Sequence, residues 1–291
     1  MKRKRLVLHK LLQDKLALSG FLIIFMVLLV AIFAPYIAPY PEDVARIHLS
    51  ERLLGPSLNH LLGTDDMGRD ILSRIIFGTR ISFTIAFIAV GLCIIIGVPI
   101  GLYAGFNENW LSAVLMRTGD VFLSVPRIVL ALAIASALGR SMQNIILALS
   151  ITYWPFFSSI VFAETRKVKK SLFVEATEAL GASPIRTIFL HVLPNVASPI
   201  IIRSSVGMGF TLLTAAGLGF LGVGAPPPTP EWGIIIAESR RFLPDAWWYA
   251  TFPGLAIFVT VMGFNMLGDG LRDILDPRIR RGGWAKREGD D

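Results

Sequence analysis

The chain has 291 residues, 54% hydrophobic and 17% charged, with a formal net charge of +7 and a single cysteine. A soluble domain carries about a quarter charged residues, so this composition excludes an ordinary soluble fold, and the lone thiol of Cys93 excludes an intrachain disulfide. The histidines (His9, His48, His60, His191) lack metal-ligand spacing. No metal or other cofactor is therefore assigned, and the basic excess beside apolar runs points to membrane topology rather than to nucleic acid.

In chain order, residues 1–15 form a basic tail and residues 16–36 a first transmembrane helix around the uncharged run Leu16–Ala34. That run exceeds a signal-peptide core, and prolines 35, 39 and 41 follow it instead of a small-x-small cleavage site. Residues 37–80 form a polar extracytoplasmic segment. Ile71, Ile75 and Ile76 predict an amphipathic helix within His60–Arg80 that leads into the next span. Residues 81–271 form a five-helix core, with apolar runs at Ile81–Ala104, Val121–Leu138, Ile145–Ala163, Val196–Val223 and Ala246–Leu267. Runs of about 18 residues or more cross a hydrocarbon core as helices, because a backbone in lipid must satisfy its own hydrogen bonds. The short alternating segments of a membrane β-barrel are missing.

Six spans place both termini on one side. That side carries 18 of the 28 Lys and Arg residues and the opposite side 8, with Arg127 and Arg203 inside spans. The termini, including the tail 272–291, are therefore expected in the cytoplasm. On the outer side, Pro226-Pro227-Pro228-Thr229-Pro230 cannot be helical. Glu231–Phe242 reads as a short surface helix with Trp232 as an interfacial anchor.

The cytoplasmic loop 164–195 is predicted to hold two short helices. The first, Leu172 to Leu180, is broken at Gly181; the second opens at Ser183-Pro184 and is ended by Pro194. Within it stand Glu175-Ala176-Thr177-Glu178-Ala179-Leu180-Gly181 and, later, Leu193-Pro194. This pattern resembles the EAA loop of ABC importer permeases, with Thr177 in place of the third alanine. Leu62–Asp70, Gly219–Gly224 with Pro230-Glu231-Trp232-Gly233, and Asn265–Asp273 with Asp276-Pro277-Arg278 are similar to signatures of the C-type permease of dipeptide, oligopeptide and nickel importers. The resemblance implies an all-α integral membrane protein with six transmembrane helices in a type I (MetI-like) permease architecture. It also implies a second related permease, two cytoplasmic ABC ATPase subunits that grip Glu175, Ala176, Thr177, Glu178, Ala179, Gly181, Leu193 and Pro194, and an extracytoplasmic solute-binding protein.

No Gly-x-x-x-x-Gly-Lys-Ser/Thr occurs in the chain, so it is expected to be a transport subunit and not an enzyme, powered by another chain. Di- or oligopeptides are the expected solute, with nickel, free or chelated, as the variant of the same machine. A self-powered secondary transporter would need intramembrane carboxylates and an internal repeat, and neither is evident. The small residues of the fifth span suit close packing or pore lining alike. Arg203 with Ser204 and Gly207 is taken to border the pathway, two turns from the span's cytoplasmic end; snorkelling to the surface is the alternative for Arg203. Arg127, beside Pro126, poses the same question.

Overall fold

The structure, a computed structural model, describes residues 13–42 and 44–275. Most of the expected tails and the Asp276-Pro277-Arg278 motif lie outside the described residues. Among the described residues, five helices are long and apolar enough to cross a membrane, and a sixth is counted when one bent pair is taken as a single broken span.

Helix α1 (Lys15–Ile37) starts at Asp14, whose carboxylate accepts from the amides of Leu16 and Ala17 at 2.9 Å, satisfying donors that a helix start leaves open. Helix α2 (Ile71–Phe106) is capped by Asp70 through the Ser73 amide at 2.8 Å. The predicted amphipathic helix is thus the first turns of the second span. Nothing between Ile71 and Ile81 breaks the helix, and its polar residues Ser73, Arg74 and Thr79 are buried.

The expected third span, Val121–Leu138, is two helices, α3 (Trp110–Ser124) and α4 (Arg127–Leu138), bent by 93°. Pro126 is the cause. It pushes Val125 out of the helical region to φ −97°, ψ 136°. Arg117 and Asp120, three residues apart on α3, lie 3.8 Å apart at its exposed surface.

Helix α5 (Met142–Lys169) runs parallel to α2 in the most extensive helix contact of the fold, with Gly97 against Phe157, Gly101 against Val161 and Gly105 against Thr165. After it come α6 (Leu172–Ala179), α7 (Pro184–Thr187) and α8 (Leu193–Leu218). Pro194 does not end the second short helix as expected. A π-helical turn at Ile188–Val192 joins α7 to α8, and the helix runs on from Pro184 to Val223. A proline lacks the amide for the regular bond and crowds the carbonyl four residues back, and a wide turn absorbs both defects.

Helices α9 (Trp232–Ser239) and α10 (Trp247–Leu275) complete the chain. Helix α10 packs on both α1 and α8. Gly20 of α1 lies on the backbone of Gly263 and Leu267, and Gly270 lies on Ala17. On α8, Ser205 donates to the Phe264 carbonyl at 2.9 Å, and Gly209 meets Val261 and Phe264. These small residues are therefore packing positions.

Candidate functional site

Three constellations stand out. The first is the projection between α5 and α8. Val174 is fully buried with Val161, Val192 and Val196 and ties α6 to the bundle. Its neighbours face away: Leu172 is 83% and Leu180 89% exposed, and Ile185 and Phe189 are exposed too. Glu175, Ala176, Glu178, Ala179, Gly181 and Pro194 are exposed, with Thr177 and Leu193 half-buried. Neither Glu175 nor Glu178 is in an ion pair among the described residues. The Thr177 hydroxyl donates to its own helix at Phe173 O, 2.7 Å, so threonine stands where alanine was expected without a loose polar group.

The turn follows from its hydrogen bonds. The Gly181 amide donates to Glu178 O at 2.9 Å and the Ala182 amide to Thr177 O at 3.3 Å, the paired bonds of a Schellman cap. Gly181 sits at φ +82° with open space around it, so the requirement for glycine is conformational, not steric.

The second constellation lies between α4, α5 and α8. Arg203, Gly207, Phe210 and Thr214 follow the i, i+4, i+7, i+11 spacing of one face of α8. Tyr153 of α5 is their common partner. Gly207 leaves room for its ring, because a Cβ there would lie 2.8 Å from the Tyr153 hydroxyl. Arg127 of α4 places its guanidinium carbon 3.4 Å from the Phe210 ring centre and 4.5 Å from that of Tyr153. It also donates to Thr214 Oγ1 at 2.7 Å. Arg203 sits 5.7 Å from the Tyr153 centroid and 5.0 Å from that of Phe156.

The structure thus joins Arg203, Gly207 and Arg127, whereas the Ser204 hydroxyl turns back to Ile200 O at 2.7 Å. Tyr153, Phe210 and Thr214 were not singled out from the sequence, although the helical spacing from Arg203 marks two of them. Arg203 also lies halfway along the continuous helix Pro184–Val223, and not two turns from an end. Its guanidinium rests on rings inside the bundle, which is the opposite of snorkelling.

The third constellation closes the end of the bundle opposite the projection. Asp65, in the motif Leu62–Asp70, is fully buried and accepts from Arg69 Nε at 2.7 Å, Arg74 Nη1 at 2.5 Å and the amides of Met67 and Arg69 at 2.8 Å. Glu238 of α9 takes Arg74 at 3.0 Å and Arg69 at 3.4 Å. The Tyr249 hydroxyl of α10 lies 3.1 Å from Glu238 and 3.0 Å from Asp66. Asp65, Asp66 and Glu238 bring carboxylate oxygens within 4.8 Å of one another, but two guanidiniums already hold those of Asp65 and Glu238. The cluster therefore ties α2, α9 and α10 together as an ionic lock.

Trp232 is not the expected interfacial anchor: it is buried and donates from its indole to Ile75 O at 3.0 Å. Its neighbour Glu231 is also buried and caps α9 through the amides of Gly233 and Ile234, each at 3.0 Å. Burial raises the Glu231 carboxyl to about 7, against the opposing pull of those amides.

Comparison with known proteins was made with this geometry in view. The family model described as "Binding-protein-dependent transport system inner membrane component" matches residues 97–281, and "N-terminal TM domain of oligopeptide transport permease C" matches residues 4–56. The dipeptide transport system permease protein DppC of Alkalihalophilus pseudofirmus is 43% identical over 93% of this chain and 88% of its own. The glutathione transport system permease protein GsiD of Pectobacterium atrosepticum is 40% identical over 94% and 90%. The probable D,D-dipeptide transport system permease protein DdpC of Escherichia coli is 40% identical over 90% and 88%. A chain from the inward-facing MetNI methionine ABC transporter superposes with a TM-score of 0.60 at 17% identity, over 69% of this chain and 96% of its own, which is a likeness of fold.

Proposed function

The chain belongs to the binding-protein-dependent transport system inner membrane components, and from that footing we propose that it forms half of the translocation pathway of an importer for di- or oligopeptides. A second, related permease supplies the other half, two ATPase subunits dock on the projection from the cytoplasm, and an external binding protein delivers the solute. The basic residues on the side of the termini support a cytoplasmic location for both ends.

The observation that carries the reading is the projection. Leu172, Leu180, Ile185 and Phe189 are large, apolar and exposed on a segment tied to the bundle by the buried Val174, Thr187 and Val192 and turned by one glycine. Such a surface is costly in water and suits burial in a partner's groove. Glu175 and Glu178 supply charge for partner cations, and Ala176 and Ala179 permit close backbone approach. ATP-driven closure of the motors would draw two such projections together and tilt the attached helices α5 and α8. Shifting a two-state pore from about 1:99 to 99:1 needs about 5.5 kcal/mol of differential binding, within reach of nucleotide-driven association.

Peptide names among the relatives support peptides as the solute. Two arginines with no carboxylate partner among the described residues, at the α4–α5–α8 constellation, oppose a bare divalent cation such as nickel. The test replaces Leu180, which buries nothing in the isolated chain, by aspartate. The expected result is loss of ATPase copurification, retention of the partner permease and at least a tenfold fall in peptide uptake. Retained ATPases with unchanged uptake would refute the docking.

A further inference from the structure

We propose that Arg127 and Arg203, mounted on Phe210, Tyr153 and Phe156, form a receptor for a carboxylate of the transported solute. The inference rests on the reading of the chain as half of a pathway.

The argument begins with a contrast between arginines. The buried Arg69 and Arg74 each meet a carboxylate, at 2.7 and 2.5 Å. Arg127 and Arg203 meet none among the described residues. Their contacts are aromatic faces, a threonine hydroxyl and the Phe210 carbonyl at 3.4 Å. The Nε of each is buried without a hydrogen-bond partner. Rings and neutral acceptors orient a guanidinium but do not neutralise it. Two like charges sharing one tyrosine at mid-helix are costly unless an anion joins them.

The chemistry of the anion follows from the donors. A guanidinium stacked on a ring keeps its edge free, and that edge matches the two oxygens of a carboxylate. The two arginines come from α4 and α8 and both lie against the Tyr153 ring, at 4.5 and 5.7 Å from its centroid, so an anion that reaches both contacts two helices at once. A peptide offers such a group at its C-terminus in every sequence, so the site is indifferent to side chains. Because the guanidiniums are already partly satisfied by the rings, the anion is held weakly enough to leave, as conduction requires.

The test uses the complete transporter with its binding protein in proteoliposomes. It compares ATP-driven uptake of a labelled dipeptide with that of its C-terminal amide, at concentrations saturating the binding protein for both. The binding protein is the same throughout, so its own preference cancels between variants. R127Q and R203Q are each expected to lower dipeptide uptake at least tenfold and amide uptake less than twofold, with R203K between. An equal fall for both peptides, or no fall, overturns the proposal. So does loss of copurification with the partner permease, which would make the arginines half of an intersubunit ion pair. Uptake that follows the anionic-lipid content of the vesicles, and not the peptide's charge, would assign the anion to a headgroup and overturn it as well. The pathway reading has its own readout: Phe210→Cys, at an exposed position on the same face of α8 as Arg203, in a Cys93→Ser background should react with a membrane-impermeant thiol reagent. A labelled cysteine with an unchanged peptide-to-amide ratio defeats the receptor alone; an inert cysteine defeats the pathway.

Discussion

Asp65→Asn tests the ionic lock by removing one charge while keeping the shape of the side chain. In the native chain two guanidiniums share Asp65 and Glu238, and Asp65 and Arg74 are both 0% exposed. The amide keeps one oxygen for the backbone amides of Met67 and Arg69 but leaves two buried cations on a single carboxylate. Breaking a buried pair from one side costs about 3–5 kcal/mol. Asp66→Asn is the internal control, because the half-buried Asp66 accepts from the Tyr249 hydroxyl at 3.0 Å and forms no ion pair among the described residues; its loss should cost about 1 kcal/mol. Native-state hydrogen exchange, read by mass spectrometry over peptides spanning residues 62–74, reports the local opening equilibrium. At the low end of the range, D65N should speed exchange there by roughly a hundredfold, since about 1.4 kcal/mol is tenfold, whereas D66N should speed it by less than about tenfold. Glu238→Gln should follow D65N, because the same cations lose their other partner. Equal exchange in D65N and D66N would refute the lock.

Gly181→Ala places a β-carbon at φ +82° and should cost about 1–2 kcal/mol, seen as weaker ATPase copurification, while Gly181→Asn, which tolerates that region, should lose less. The Glu231 carboxyl is raised to about 7, so its contribution is complete below the ordinary carboxylate range and fades as pH rises through 7; protection factors at α9, which divide out the base-catalysed intrinsic rate, should fall between pH 5 and 8 in the native chain and stay flat in Glu231→Gln. Gly20→Val would drive a side chain into the backbone of Leu267 and should lower stability by about 1–3 kcal/mol, read as a lower midpoint of thermal unfolding in detergent.

The apolar runs made the helix count legible, because lipid imposes one rule on the backbone and composition records it. Breaks were legible where a single residue dictates them. Gly181 marked its turn correctly because few residues besides glycine take φ +82° at low cost. Prolines were ambiguous, because their effect depends on what can absorb the defect. Pro126 bends its span by 93°, whereas Pro194 is taken up by a π turn and the helix continues. No local pattern distinguishes the two outcomes.

The constellations were legible in the opposite order to their sequence separation. The projection lies within one loop, and its pattern of small, acidic and glycine residues can be read directly. The ionic lock joins Asp65 and Arg74 to Glu238, more than 160 positions away, and the arginine site joins Arg127 and Tyr153 to Thr214. In both, the sequence marked only some members: the motif holding Asp65 and Arg69 in one, the two charges inside apolar runs in the other. The outer lock is charge-balanced, with each guanidinium on a carboxylate, and it holds loop to helix. The arginine site carries two charges and no balance among the described residues. Both follow one electrostatic rule, that a cation removed from water must find an anion. Where the chain supplies the anion the result is structure; where it does not, the place is left for something that comes and goes.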